Sequence, residues 1–362
     1  MQPQRMHVVF LGLSITSSWG NGHATTYRGL VRELERLGHD VLFLERDVPW
    51  YAAHRDTRGA LPGRTELYSS LEDLRARFTS EVQRADLVVV GSYVPQGVEV
   101  GGWVQRTARG VTAFYDIDTP VTLAKLGRGD FEYLSPALVP GYRLYLSFTG
   151  GPTLQRIERE LGSPAARPLY CSCDPELYAP RDGDVRWDLG YLGTYSDDRQ
   201  PVLERLMLDA AEAWPEGRFV VAGPRYPEGV SWPPNVERMQ HLAPPEHAAF
   251  YTAQRFTLNV TRADMVRAGY SPSVRLFEAA ACGVPIISDD WEGLGTFFTP
   301  GRELFVSHGA EQTLRYLREL SEAERQEVGR RARERVLGGH TAAHRARTLE
   351  GYAREVASGR AP

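Results

Sequence analysis

The sequence predicts an α/β protein built from two doubly wound parallel domains with a cleft between them. Three observations lead there. Short apolar runs alternate with amphipathic helical stretches along most of the 362 residues. The alternation breaks at a polar, aperiodic stretch, 179–188, and then restarts, so 1–178 and 189–340 read as domains, 179–188 as their linker and 341–362 as a terminal helix. Glycine, serine and other polar residues follow the strands, which is where ligands sit in open α/β sheets. A single larger α/β domain is the alternative.

In chain order, Met6–Gly12 is a buried strand and Leu13–His23 a loop. A helix with Tyr27, Leu30, Val31, Leu34 and Leu37 on one face stops at Gly38. Strand Val41–Leu44 completes a βαβ unit. Its long first turn, Ser17-Ser18-Trp19-Gly20-Asn21-Gly22-His23, lacks the G-x-G-x-x-G spacing, which argues against a nicotinamide dehydrogenase. Trp19, Gly20, Asn21 and Gly22 are the candidate acceptor-side loop. Trp50–Ser70 reads as a polar, aromatic, aperiodic excursion toward acceptor. Strands at Leu87–Val90, Val111–Tyr115, Arg143–Ser147 and Pro168–Cys173 alternate with helices at Leu71–Val82, Gly97–Arg109 and Thr153–Leu161. The pair Asp116-x-Asp118 alternates along a strand end, so its carboxylates point to opposite faces, a poor metal clamp. The second domain runs through strands Leu189–Ser196, Arg218–Ala222, Val236–Leu242, Phe256–Val260, Pro285–Ser288 and Leu304–Val306, with helices from Pro201 to Trp214 and Pro244 to Gln254 and from Ala310 to Ala357.

Composition narrows the function. Hydrophobic residues make up 42% and charged residues 24%, as in a soluble globular protein, and the net charge of −4 comes without the basic run of a nucleic-acid binder. Lys125 is the only lysine, so a phosphate partner must be arginine or backbone. Cys171, Cys173 and Cys282 make no disulfide framework or zinc set. No apolar run approaches the ~20 residues of a membrane span, and the first residues lack a signal peptide's pattern, so a cytoplasmic location is expected.

The stretch Ser271–Gly301 is the most informative. Ser271 or Ser273 can cap a helix with Pro272 in its first turn, Gly283 ends it, and Pro285–Ser288 follows as a strand. The start of such a helix is an anion site, and Glu278 lies one turn in, on the face of Val274 and Arg275.

Arg275-Leu276-Phe277-Glu278-Ala279-Ala280-Ala281-Cys282-Gly283-Val284-Pro285, with Asn259-Val260-Thr261-Arg262, Ser271 to Arg275 and Thr299-Pro300-Gly301-Arg302-Glu303, resembles the CgeB-like branch of family-4-type retaining glycosyltransferases. The resemblance is close over the C-terminal half and loose before it. It implies the GT-B fold, with two Rossmann-like domains and a last helix that crosses back to the first. It also implies a nucleotide-diphosphate sugar donor (UDP, TDP or GDP), no metal or other cofactor, and transfer with retention. On the same resemblance Glu278 holds the ribose, the amides of Ser273 and Val274 meet the diphosphate, and the turn Gly193-Thr194 with Arg199, Arg262 and Arg275 surrounds it. The base falls near His241 and Leu242. His23 and Asp118 are candidates for sugar or acceptor contacts. The family's usual glutamate eight residues before Glu278 is Tyr270 here, at the position that touches the transferred sugar. Rival readings are an inverting enzyme or sugar-nucleotide epimerase of the same fold, and a catalytically silent nucleotide-sugar binder.

Overall fold

Strands covered by helices on both faces must be apolar on both sides, and Leu87–Gly91, reading Leu-Val-Val-Val-Gly, is buried throughout. The computed structural model describes residues 5–19, 22–56 and 61–359. It divides into two units: Met1–Cys171 with Ala342–Pro362, and Ser172–Thr341.

The first unit contains β1 (His7–Gly12), α1 (His23–Arg36), β2 (Asp40–Arg46), α2 (Pro49–Ala52), β3 (Arg64–Tyr68), α3 (Leu71–Arg84), β4 (Leu87–Gly91), α4 (Gly97–Thr107), β5 (Val111–Asp116), α5 (Thr119–Gly127), β6 (Leu144–Ser147), α6 (Pro152–Leu161) and β7 (Ala166–Pro168). Its strands form one parallel seven-stranded sheet in the order β3-β2-β1-β4-β5-β6-β7. The order reverses between β1 and β4, and that switch point is where loops splay apart to admit a ligand.

The second unit contains β8 (Trp187–Leu192), α7 (Gln200–Leu203), a π-turn at Glu204–Leu208, α8 (Asp209–Ala213), β9 (Phe219–Ala222), β10 (Val236–Met239), α9 (Pro244–Thr252), β11 (Gln254–Asn259), α10 (Ala263–Ala268), α11 (Val274–Ala281), β12 (Ile286–Ser288), α12 (Leu294–Phe297), β13 (Phe305–Val306), α13 (Ala310–Glu319) and α14 (Glu322–Gly339). Its parallel six-stranded sheet runs β10-β9-β8-β11-β12-β13, with the switch point between β8 and β11. Serine caps fix two helix starts: Ser70 accepts from the Asp73 amide at 3.1 Å, and Ser321 forms a reciprocal box with Glu324.

The last helix, α15 (Ala342–Ala357), packs on α1 of the first unit, where Gly29 leaves room for Ala342. Arg345 Nε donates to the Tyr170 carbonyl at 2.9 Å and Tyr352 Oη to the Pro168 carbonyl at 3.2 Å, tying the helix to the end of β7.

Several expectations are corrected. The excursion Trp50–Ser70 carries an edge strand, β3, paired to β2 from Leu42↔Arg64 to Arg46↔Tyr68. Its charged residues hide it, because an edge strand needs little apolar surface. The strand expected at Pro168–Cys173 is instead Ala166–Pro168. Beyond the Leu169 amide, which reaches Ser147 O at 2.8 Å, the chain leaves the sheet. The strand expected at Leu189–Ser196 spans Trp187–Leu192, because Gly193 begins the turn.

Candidate active site

In the second unit, the loops after β8 and β11 meet the start of α11 at the switch point. Gly193 opens the first loop. A Cβ there would stand 2.5 Å from Tyr191 Oη and 2.9 Å from Arg275 Nη2, so any larger residue would have to displace both side chains. Its amide donates to Ala222 O at 2.8 Å and its carbonyl accepts from Tyr226 Oη at 3.1 Å. Gly223, at φ 150°, passes so close that a Cβ would overlap that carbonyl. Arg199 folds back over the same turn, donating Nε to Ser196 Oγ at 2.9 Å and Nη2 to the Thr194 carbonyl at 2.5 Å.

Arg275 points inward from α11 and is 7% exposed. Its Nε donates to Leu192 O at 2.6 Å and its Nη1 to Asn259 Oδ1 at 3.0 Å, and the guanidinium lies 4.8 Å over the Tyr191 ring. Its partners are carbonyl oxygens and a ring, so the positive charge is solvated but not neutralised. Arg262 caps α10, with Nε 3.8 Å from Asp198 Oδ2. Burial holds the Arg199 guanidinium below its ordinary pKa, and the adjacent Arg275 and Arg262 charges push the same way. The structure thus brings Arg199, Arg262 and Arg275 together.

Ser273 is the N-cap residue of α11, yet its hydroxyl makes no cap bond and donates to Asn259 Oδ1 at 2.7 Å. The Ser273 side chain does not compete for the first-turn amides of α11, of which that of Leu276 closes on the Ser273 carbonyl at 3.2 Å. Ser271 is buried. Asn259 is the hub: its Oδ1 holds Ser273 and Arg275, and its Nδ2 reaches Ser288 Oγ at 3.0 Å and Asp289 Oδ1 at 3.4 Å. Asp289 also accepts from the Thr261 amide and hydroxyl at 3.1 and 2.9 Å. Burial pushes its carboxyl up to about 6 against these bonds and the Arg275 charge.

Glu278 is 6% exposed, beside Tyr251, whose hydroxyl donates to Oε2 at 3.3 Å. Burial and then this carboxylate drive the Tyr178 and Tyr251 phenols well above their ordinary values. No arginine or lysine salt bridge reaches Glu278 among the described residues.

Tyr270 is half-buried at φ 48°, a left-handed conformation costly for an aromatic residue. Its amide donates to Glu292 O at 2.6 Å, and its ring lies over Gly293, where a Cβ would stand 2.6 Å from Cδ1. His241 is exposed after β10, and Leu242 packs on the cluster of Trp187, Val220, Ala222 and Phe250. Sequence reasoning missed Arg238 of β10, whose guanidinium lies 4.1 and 4.0 Å from the Tyr226 and Trp232 rings of the preceding loop, rings that meet edge-on at 5.3 Å. It also gave no role to Asn259 or Asp289; a polar Asn closing an apolar strand was the available signal for the first. The groove lined by Arg186, Trp187, Arg218 and Glu237 lies at the opposite, amino ends of the strands, and Trp187 Nε1 donates to Glu237 there at 2.8 Å.

In the first unit, His23 and Asp118 are linked through Tyr93, another residue missed in the sequence. The His23 and Tyr93 rings meet edge-on at 5.5 Å, and Tyr93 Oη donates to Asp118 Oδ2 at 3.1 Å. Burial pushes the His23 imidazole down to about 4, so it is neutral near pH 7. Asp116 is buried in the core, accepting from Tyr145 Oη at 2.5 Å, Thr122 Oγ1 at 2.7 Å and the Asp118 amide at 3.3 Å. Burial raises its carboxyl to about 6. Trp19 and Gly22 flank Gly20 and Asn21, which lie outside the described residues. No cluster of three metal-ligating side chains occurs among the described residues, and no described helix is long and apolar enough to cross a membrane.

Residues 199–351 match the family described as Glycosyl transferase-like. No curated protein matches the chain by sequence. Among solved structures, sucrose-phosphate synthase from Thermosynechococcus elongatus is 15% identical with a TM-score of 0.71, covering 98% of this chain and 100% of that one. HepE of Anabaena, in complex with UDP-glucose, is 13% identical with a TM-score of 0.70, covering 97% of this chain and all (100%) of its own. An α-glucosyltransferase in complex with UDP and a 13-mer DNA containing a HMU base is 12% identical with a TM-score of 0.70, over 97% and 100%. With two parallel sheets of seven and six strands and helices on their faces, the chain has the GT-B fold of these proteins.

Proposed function

We propose that the protein is a glycosyltransferase that moves a sugar from a nucleotide-diphosphate sugar to an acceptor hydroxyl, with retention and without a metal ion. The observation that carries this is the meeting of Arg199, Arg262 and Arg275 with the start of α11 at the switch point of the second unit. Guanidinium groups and helix-start amides stabilise the charge that develops on a leaving diphosphate, the role a divalent cation plays elsewhere. In the reaction the anomeric carbon–phosphate oxygen bond breaks and a bond from the acceptor oxygen forms on the same face. The acceptor proton passes to the departing phosphate oxygen, so no protein nucleophile is needed. Glu278, a buried carboxylate with a tyrosine as its hydrogen-bond donor, suits the two ribose hydroxyls. The backbone near His241 and Leu242 is assigned to the base. Retention and the CgeB-like subtype rest on the motif resemblance. UDP is the first nucleotide to try, since HepE and the α-glucosyltransferase are in complex with it.

The test is a thermal-shift and calorimetric titration with UDP, TDP, GDP and ADP and their glucose conjugates. Ligand at ~100 times its dissociation constant adds about 2.7 kcal/mol. Arg199→Ala should weaken the preferred diphosphate about tenfold or more, one charge-assisted bond being worth roughly 1.5–3 kcal/mol, and Glu278→Ala should weaken the nucleoside diphosphate but not inorganic diphosphate. No response to any nucleotide would overturn the reading. The silent-binder alternative is favoured by Tyr270 standing where the family has glutamate; selective binding with no release of UDP from any donor would support it instead.

A further inference from the structure

Two loops of the second unit lock together beside the start of α11. The first, 269–273, leads into that helix, and the second, 289–293, follows β12. Gly269 ends α10 at φ 65°, Tyr270 follows at φ 48°, and Gly293 stands against them at φ 92°. The Tyr270 amide donates to Glu292 O at 2.6 Å. A Cβ on Gly269 would stand 3.2 Å from Glu292 Cβ and 3.6 Å from its Oε2, so the carboxylate lies beside the turn that carries Tyr270. Buried Trp291 anchors the second loop, its ring 6.0 Å from that of Phe297. Glycine would hold position 270 in this conformation at lower cost; tyrosine adds a ring and a hydroxyl there.

The strand order says which part of a donor reaches these loops. The sheet runs β10-β9-β8-β11-β12-β13. With the base assigned near β10 and the diphosphate to the switch point between β8 and β11, the far end of the ligand falls at the β12 loop. Glu278, assigned to the ribose, meets Tyr251 of α9, the helix between β10 and β11 in the chain. From Tyr270 to Ser273 the backbone spans at most about 11 Å, within reach of a ring carried on the distal phosphate. The loops present a carboxylate and a phenol. Glu292 is exposed, and neither its carboxylate nor the Tyr270 hydroxyl has a hydrogen bond or ion pair among the described residues. No lysine or arginine occurs in 268–274 or 289–301. Arg267 pairs with Asp264, and Arg335 is turned to the Phe297 and Thr296 carbonyls at 2.9 and 3.0 Å. A carboxylate accepts from two hydroxyls at once, a phenol donates or accepts, and the carboxylate repels a second acid. We propose that Glu292 and Tyr270 contact the transferred sugar and select a neutral, hydroxyl-rich one over a uronic acid. This rests on the nucleotide-sugar reading of the site.

The experiment is calorimetry on the full chain with UDP, TDP, GDP and ADP, and with the glucose, mannose, N-acetylglucosamine and glucuronate conjugates of the diphosphate that binds. The expected result is that a neutral conjugate binds more tightly than the glucuronate. Glu292→Gln should weaken that neutral conjugate about tenfold, through loss of a charge-assisted hydrogen bond, and leave the bare diphosphate unchanged. Tyr270→Phe should weaken it about threefold, again without touching the diphosphate. Because Glu292 is exposed, thermal unfolding of Glu292→Gln should match the parent. Three results would overturn the sugar contact: a glucuronate that binds tightest, a Glu292→Gln variant that weakens conjugate and diphosphate equally, or one that changes neither. In each of them diphosphate binding by the parent leaves the donor site and the transferase reading standing. No nucleotide binding at all would overturn both.

Discussion

The two units repeat one architecture with opposite chemistry at the same end of the sheet. At its switch point the second unit gathers Arg199, Arg262 and Arg275 around a helix start. At its own, the first unit places a neutral imidazole, His23, against Tyr93 and the Asp118 carboxylate. Both units also bury one aspartate where a strand ends, Asp116 as the last residue of β5 and Asp289 just after β12, each with its carboxyl raised to about 6 by burial. Asp289 serves an asparagine that positions an arginine, whereas Asp116 serves only hydroxyls and an amide. The difference teaches that the fold supplies the loops and the strand-end residues decide the ligand. A cationic end suits an anion, and a tyrosine and carboxylate end suits a neutral polyol.

The largest effect should come from Arg275→Ala. It strips Leu192 O and Asn259 Oδ1 of a charged donor inside the core and leaves a cavity beneath Tyr191. The expected loss is about 2–4 kcal/mol in urea unfolding, together with loss of diphosphate binding. A variant as stable as the parent would mean that Arg275 is not the keystone separating the second unit from the first.

Much of this was legible in the sequence, and the rest was hidden for physical reasons. The apolar runs of β1, β4 and β9 announce themselves because both faces are covered. β3 does not, since Arg64 and Glu66 belong to an edge. Glycine and serine between Gly269 and Ser273 mark the start of α11, but no pattern tells that the Ser273 hydroxyl turns to Asn259 instead of capping. The neighbours Asp289 and Asp290 are the same residue type, and the first is buried while the second is exposed. Such a distinction arises from the packing of β11 against β12 and has no local signature. Tyr93 was hidden likewise: its φ of 64° aims the ring back toward α1, which only the folded loop reveals.

A smaller effect should appear in the pH dependence of stability. A carboxyl raised above its ordinary 3.8 to about 6 means that the folded chain holds the proton more tightly than the unfolded one. Each contribution is therefore most favourable below about pH 4, is lost as pH rises toward about 6, and is constant above that. Asp116→Asn and Asp289→Asn should each flatten this decline by roughly 3 kcal/mol, read from unfolding midpoints between pH 4 and 7. The comparison is sharpened by ligand: only Asp289→Asn should alter diphosphate affinity, through Asn259. Equal effects of both variants on that affinity would merge the two aspartates into one role.

The smallest effect belongs to Tyr93→Phe, and it probes the division most directly. The substitution keeps the ring against His23 and Tyr133, at 5.5 and 4.6 Å, and removes the hydroxyl that donates to Asp118. One hydrogen bond from a neutral donor to a charged acceptor is worth roughly 1.5 kcal/mol, the low end for a half-buried place, so the melting temperature should fall by a few degrees. Diphosphate affinity should not change, because no residue of the arginine group touches Tyr93. Turnover should fall with KM for the acceptor rising, since Asp118 would lose a donor that orients its carboxylate. A change in diphosphate affinity in Tyr93→Phe would mean that donor binding draws on the first unit, and the assignment of one ligand chemistry to each sheet end would have to be abandoned.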